Sequence, residues 1–206
     1  MPIVTRLVQG KKNPNRVNLY LDDEFAFALS IDEVARHNLK KGLEISPDLI
    51  EQLKSADQDE YLYSKILNFL SYRPRTVKEV RDRLWKYELR ESAKQDVIIA
   101  RLQSHGYLDD RAFAEWFISS RNSHRPRSKR YLSAELKAKG IAEDIIQAVS
   151  GSISDESATI YHLLEKKLGL PHRLEPAEKQ KIVGYLARQG FAWDKITEVV
   201  KNWESE

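Results

Sequence analysis

Leu136-Lys137-Ala138-Lys139-Gly140-Ile141 returns fifty residues later as Leu186-Ala187-Arg188-Gln189-Gly190-Phe191. Asp144-Ile145 with Val149 returns at the same offset as Asp194-Lys195 with Val199. A repeat of this period constrains the fold more than any other feature of the chain. A unit this small buries only a thin core by itself, so similar units are expected to stack on one another. A fainter first copy precedes these two. Arg73-Pro74-Arg75 pairs with Arg125-Pro126-Arg127 at an offset of fifty-two, and Pro171-His172-Arg173 is a degraded third form. Each copy reads as helix, proline-bearing turn, helix, tight turn, helix. Gly140 and Gly190 suit the left-handed position just past a helix, and Ile141 or Phe191 follows where a Schellman motif wants its apolar contact. Gly106-Tyr107 plays a similar part at the end of the first copy.

The first quarter of the chain has a different period. Val17, Leu19 and Leu21 alternate with polar residues, and Phe25, Phe27 and Leu29 do the same beyond Asp22-Asp23-Glu24. Two alternating runs across a short acidic turn predict a hairpin. Ile3 to Val8 is a candidate third strand, and Leu43-Glu44-Ile45 a further short one. Ser30-Ile31-Asp32-Glu33 reads as a capping box for a short helix to about His37, and Ser46-Pro47 starts another. Thr76-Val77-Lys78-Glu79 and Ser92-Ala93-Lys94-Gln95 read as further boxes, and Asp109 as a cap. Apolar residues at helical spacing follow: Val77, Val80 and Leu84; Ile98 and Leu102; Phe113, Trp116 and Phe117; Leu132 and Leu136; Ile145, Ile146 and Val149. The series goes on with Ala158, Tyr161, Leu164 and Leu168, then Ile182 and Leu186, then Ile196, Val199, Val200 and Trp203. The expected fold is mainly α: tandem three-helix repeats forming a curved body, with a small N-terminal β-hairpin segment. The expected divisions are 1–58 for that segment and its short helices, then repeats at 59–107, 108–154 and 155–206.

Composition narrows the function. There is no cysteine, so neither a disulfide nor a thiolate metal site is possible. No long apolar run spans a membrane, and Met1 to Gly10 lacks the apolar stretch of a signal peptide, so a cytoplasmic protein is expected. His37, His105, His124, His162 and His172 are scattered, and no two share a helical face as a metal pair would. Asp22-Asp23-Glu24 and Asp109-Asp110 are better explained as a turn and a helix cap than as cation ligands. No phosphate-binding glycine loop, nucleophile elbow or acid–base carboxylate pair is present. The expectation is a protein that is not an enzyme and takes no cofactor.

Charge points to a binding role. Between Glu60 and Ser150 there are 18 Lys and Arg against 12 Asp and Glu, and both flanks are slightly acidic. A basic middle suits a polyanion. Its densest stretch, Arg121 to Arg130, has five fixed positive charges and no acid. Arginine favours planar recognition of phosphate, and proline stiffens the turn that carries it. The candidate binding residues are Arg73, Arg75, Arg81, Arg121, Arg125, Arg127, Lys129 and Arg130. The aromatics Trp85, Tyr87, Tyr107, Phe113, Trp116 and Phe117 could stack on bases, but their helical spacing favours core packing.

Three ordered motifs carry a resemblance. Ile66-Leu67-Asn68-Phe69-Leu70-Ser71-Tyr72-Arg73-Pro74-Arg75-Thr76, followed by Glu79-Val80 and Leu84, resembles the opening repeat of RecX proteins. Gly106-Tyr107-Leu108-Asp109-Asp110-Arg111-Ala112-Phe113-Ala114 is similar to that family's most distinctive stretch, and Glu135 to Ile141 to its next one. The resemblance covers about Asp59 to Val149, and the third repeat less specifically. Where the family commonly carries Gly-Pro at the start of the middle repeat's second helix, this chain has Ser128-Lys129. The resemblance implies a bacterial regulator that binds the RecA filament on single-stranded DNA and limits recombination, ATP hydrolysis and coprotease activity. The expected partners are RecA and DNA, single-stranded and also double-stranded, and the expected state is a monomer. Two other readings fit three-helix units: a helix-turn-helix-like regulator that binds duplex DNA, and a scaffold that binds only proteins.

Overall fold

The computed structural model describes residues 1–11, 13–124, 126–153 and 155–205. Three antiparallel strands, β1 (Val4–Gln9), β2 (Arg16–Leu21) and β3 (Glu24–Ser30), lie in the order β1-β2-β3. Ten α-helices follow among the described residues. They are α1 (Ile31–Arg36), α2 (Pro47–Ser71), α3 (Val77–Lys86), α4 (Ser92–Ser104), α5 (Asp110–His124), α6 (Lys129–Ala138), α7 (Glu143–Val149), α8 (Glu156–Leu168), α9 (Pro176–Arg188) and α10 (Trp193–Trp203). The fold is thus mainly helical, with a small N-terminal sheet and three-helix repeats. α2 runs unbroken through residues 58 and 59, from a start capped by Ser46, whose Oγ accepts from Leu49 N at 3.2 Å. The chain forms two compact units: Met1–Phe69 with Leu84–Ile98, and Leu70–Arg83 with Ile99–Glu206.

The first unit is built on the hairpin. Asp22 and Asp23 both have positive φ, 48° and 68°, the backbone of a two-residue turn that follows the right-handed strand twist. Asp22 is tied down as well, since its carboxylate accepts from Ile3 N at 3.0 Å. The candidate third strand is β1, while Leu43-Glu44-Ile45 makes only an isolated bridge, Ile3 to Glu44. Val4, Leu19, Leu29, Leu39, Ile45 and Leu53 form the buried core. A bulge shifts the register between Leu19 and Tyr20, and Phe25 is left 58% exposed, edge-on to Tyr20. Ser30 caps α1 as expected.

In the second unit each of the later two repeats has its own core. Phe113, Phe117, Ile118, Leu132, Leu136, Ile141, Ile146 and Val149 make one. Ile160, Leu163, Leu164, Ile182, Leu186, Phe191, Ile196, Val199, Val200 and Trp203 make the other. Three expectations need correction. Trp85 and Tyr107 are more than half exposed and Trp116 is 39% exposed, so of the six aromatics only Phe113 and Phe117 are core residues. α8 buries Ile160, Leu163 and Leu164, while Ala158 is exposed and Tyr161 and Leu168 lie at the margin. Ser92 is the first helical residue of α4 rather than its cap. Gln95 does not close a box with it: the buried Gln95 side chain donates to the Leu89 carbonyl at 2.6 Å.

Candidate functional site

The starts of α3 and α6 are built alike. Thr76 Oγ1 accepts from Glu79 N at 3.1 Å, and Ser128 Oγ accepts from Tyr131 N at 3.1 Å. Both residues are fully buried, which is unusual for helix caps, because each also meets the next repeat. Thr76 Oγ1 donates to the Lys139 carbonyl at 2.9 Å, and Ser128 N donates to the Gln189 carbonyl at 3.2 Å. Each carbonyl belongs to the residue just before a repeated glycine. A Cβ on Gly140 would lie 2.7 Å from Lys78 Cβ, and one on Gly190 would lie 2.6 Å from Ser128 Oγ. The fifty-residue motif is therefore a docking device. The glycine both turns the chain at positive φ and lets the preceding repeat's cap come close.

Around Thr76 the junction is polar and paired. Val77 N donates to Asp110 Oδ1 at 2.8 Å, and Lys78 Nζ donates to the Ala138 carbonyl at 2.9 Å. Arg73 grips Glu79 through two hydrogen bonds of 3.1 Å, and Lys139 Nζ adds a third at 3.2 Å. Burial pulls the Glu79 pKa upward, but the hydrogen bonds and charges of Arg73 and Lys139 outweigh it and hold the group below the ordinary range. Burial pushes the Asp110 pKa up against the bond from Val77 N. The Arg75 pKa is lowered, first by burial and then by the charge of Arg73. Arg81 is half-buried on α3.

The second group of candidates surrounds the α5–α6 connection. The basic stretch is less of a loop than its composition suggests: Arg121 to His124 form the last turn of α5, and Lys129 and Arg130 open α6. Arg121 makes two bonds to Glu135, of 3.1 and 2.8 Å, and its guanidinium lies 4.9 Å from the Phe117 ring centre. That bidentate, stacked arrangement engages it internally. Arg127 lies 4.7 Å from the Tyr131 ring centre. Lys129 uses its backbone N–H to bond Glu156 at 2.7 Å, and the side chains of Lys129 and Arg130 are exposed with no ion pair among the described residues. Arg125 lies outside the described residues. The seven described candidates thus fall at two places, on and just before α3 and at the α5–α6 connection. Sequence reasoning missed Lys139, whose partner Glu79 lies sixty residues earlier, and Lys166 and Lys167 in the last turn of α8. Their only signal was a lysine pair at a helix end, which the helix dipole alone would explain.

Among the described residues no group of three or more His, Asp or Glu is placed to hold a metal ion, and no helix is long and apolar enough to cross a membrane. Family models account for most of the chain, in order. Residues 2–46 match the regulatory protein RecX N-terminal domain, and 63–102, 109–149 and 154–200 match the first, second and third three-helix domains of RecX. The regulatory protein RecX of Bacillus subtilis is 35% identical over the whole of this chain and 79% of its own length. That of Bacillus licheniformis is 34% identical with the same coverage. A crystal structure of regulatory protein RecX superposes with a TM-score of 0.77 at 23% identity, over 98% of this chain and all of that one. The structure of RecX from Lactobacillus salivarius gives 0.62 at 24% identity, over 72% of this chain and 97% of that one. With its four domains matched in sequence order and relatives a third identical from end to end, this chain belongs to the RecX family of regulatory proteins.

Proposed function

We propose that this chain binds RecA filaments on single-stranded DNA and limits their growth, and with it recombination, ATP hydrolysis and the coprotease activity that drives the SOS response. The observation that carries the reading is the match, over the whole of this chain and 79% of theirs, to proteins named as RecX regulators. The electrostatics support it. Arg127, Lys129 and Arg130, together with Arg125, supply contacts to phosphate, while Arg73 and Arg121 hold the scaffold that presents them. The work is recognition in the cytoplasm by a monomer, with no catalysis and no cofactor.

The test is RecA's ATPase on single-stranded DNA, titrated with this protein. A filament grows by adding subunits at an end, so a regulator of growth acts at fewer copies than there are RecA subunits. A protein that merely covers the strand needs nearly enough copies to occupy it. Inhibition well below one copy per RecA is the expected result. No inhibition at any ratio by folded protein overturns the proposal.

A further inference from the structure

Beside the α5–α6 connection lies a cavity of about 270 Å³, walled by His124 and Arg127 of the second repeat and Lys166, Lys167, Tyr185 and Gln189 of the third. No carboxylate lines it. Lys167 Nζ lies 4.3 Å from the Tyr185 ring centre, and Arg127 lies over Tyr131, so aromatic rings rather than acids hold these cations in place. Neither Lys166, Lys167 nor Arg127 makes a salt bridge among the described residues. His124 Nδ1 is 3.1 Å from the Ser120 carbonyl, which leaves Nε2 for a ligand.

Helix dipoles offer a simpler account of these charges, because α5, α8 and α9 all contribute their C-terminal turns here. Each C-terminus is worth about half a negative charge, so three amount to about −1.5. Arg127, Lys166 and Lys167 bring three full positive charges. The terminal carbonyls are moreover already bonded, Glu165 to Gly169 N at 2.9 Å and Leu186 to Gln189 N at 3.0 Å, and Arg127 makes only a long bond, 3.5 Å, to the Arg188 carbonyl. A net positive charge of about 1.5 is left.

We infer that this cavity between the second and third repeats is a phosphate subsite that seats one backbone phosphate of a nucleic-acid strand. This deepens the proposed function and rests on it, by adding the third repeat to a contact surface that the basic turn begins. The ligand needs a compact anion with several acceptor oxygens, since the wall offers ammonium groups, a guanidinium, an imidazole and an amide at once. A carboxylate has two oxygens in one plane, whereas a phosphodiester spreads four tetrahedrally, two of them charged, toward donors on different walls. The strand passing the exposed Lys129 and Arg130 supplies the phosphate.

The test is the affinity of the full chain for a fluorescent oligothymidylate, measured by anisotropy at several salt concentrations. Lys166→Gln with Lys167→Gln removes two exposed charges, and a control removes two elsewhere, by Lys54→Gln with Lys195→Gln. The expected result is a loss of about tenfold in the first double variant only, with the log–log salt slope shallower by about 0.7 for one lost single-strand contact. Equal affinity and slope in both variants overturn the inference. Inorganic phosphate separates the two sources of the anion. If it perturbs the Tyr185 ring resonances while the first variant still binds DNA normally, the cavity takes the free ion alone and the strand assignment falls. Binding to bare DNA is read without RecA, so absence of ATPase inhibition would sink the proposed function and leave this result standing.

Discussion

Glu88, Gly140 and Gly190 occupy the same place in three successive repeats, just past the second helix, with φ of 65°, 84° and 92°. The backbone closes each turn alike, with Leu89, Ile141 and Phe191 donating to Leu84, Leu136 and Leu186. Only the first carries a side chain, and Glu88 is exposed, whereas the other two face Lys78 and Ser128. Gly190→Ala must strain a left-handed backbone, at about 1–2 kcal/mol, and displace the hydroxyl that caps α6, at about 1 kcal/mol more. We expect a loss of about 2–3 kcal/mol in chemical denaturation. Glu88→Gly should raise stability by about 1 kcal/mol, because it relieves the backbone without opening a contact. Glu79 makes a prediction about pH. Its folded-state pKa lies below the ordinary glutamate value of 4.5, so the unfolded chain takes up the proton first. Its contribution is complete above 4.5 and is lost as pH falls through the depressed folded value. Glu79→Gln should therefore melt lower than wild type at pH 7, with the gap closing in acid. Asp110 works the other way, since its raised pKa means the folded state binds the proton first and gains as pH falls. A gap that stays constant with pH would show that the Arg73–Glu79–Lys139 cluster contributes nothing electrostatic.

At the scale of elements, α5 and α6 divide the basic stretch between two jobs. Arg121→Ala should lower the melting temperature, because it strips Glu135 of its two-pronged partner, and should change DNA affinity little. Lys129→Ala with Arg130→Ala should do the reverse and flatten the salt slope by roughly 0.7–0.9 for each lost phosphate contact. Much of this was legible in the chain. The hairpin, the caps Ser30, Ser46, Thr76 and Asp109, and the glycine turns depend on local chemistry, which sequence carries. What failed depends on neighbours. The α8 series Ala158, Tyr161, Leu164, Leu168 and the buried set Ile160, Leu163, Leu164 both fit a helical period, and only the position of α9 and α10 selects between them. Ser128, which stands where the family commonly has the Gly of Gly-Pro, proves to be a buried cap under Gly190. Composition counted Arg73 and Arg121 among the free cations, because Glu79 and Glu135 stand six and fourteen residues away. Lys166 and Lys167 reach the cavity wall from forty residues beyond Pro126, a distance no pattern in the chain spans.

For the whole molecule, the proposed attraction to a charged filament should appear as salt sensitivity. Inhibition of RecA's ATPase is expected to weaken steadily between about 50 and 200 mM salt, the range over which phosphate contacts lose most of their strength. Inhibition indifferent to salt would favour contacts with protein alone. The seating of one repeat on the next has a further consequence. A buried hydroxyl cap always belongs to the earlier repeat, and the glycine it meets to the later one. The final repeat offers no such hydroxyl, since α9 begins at Glu175 and Pro176 without a side-chain cap, and the first has Glu88 where a glycine would receive a predecessor. Each junction therefore has polarity: the repeat that gives the cap and the repeat that gives the glycine cannot be exchanged. A DNA strand, running 5′ to 3′, is polar as well, so the two senses in which a protein of this build could lie along one are not equivalent.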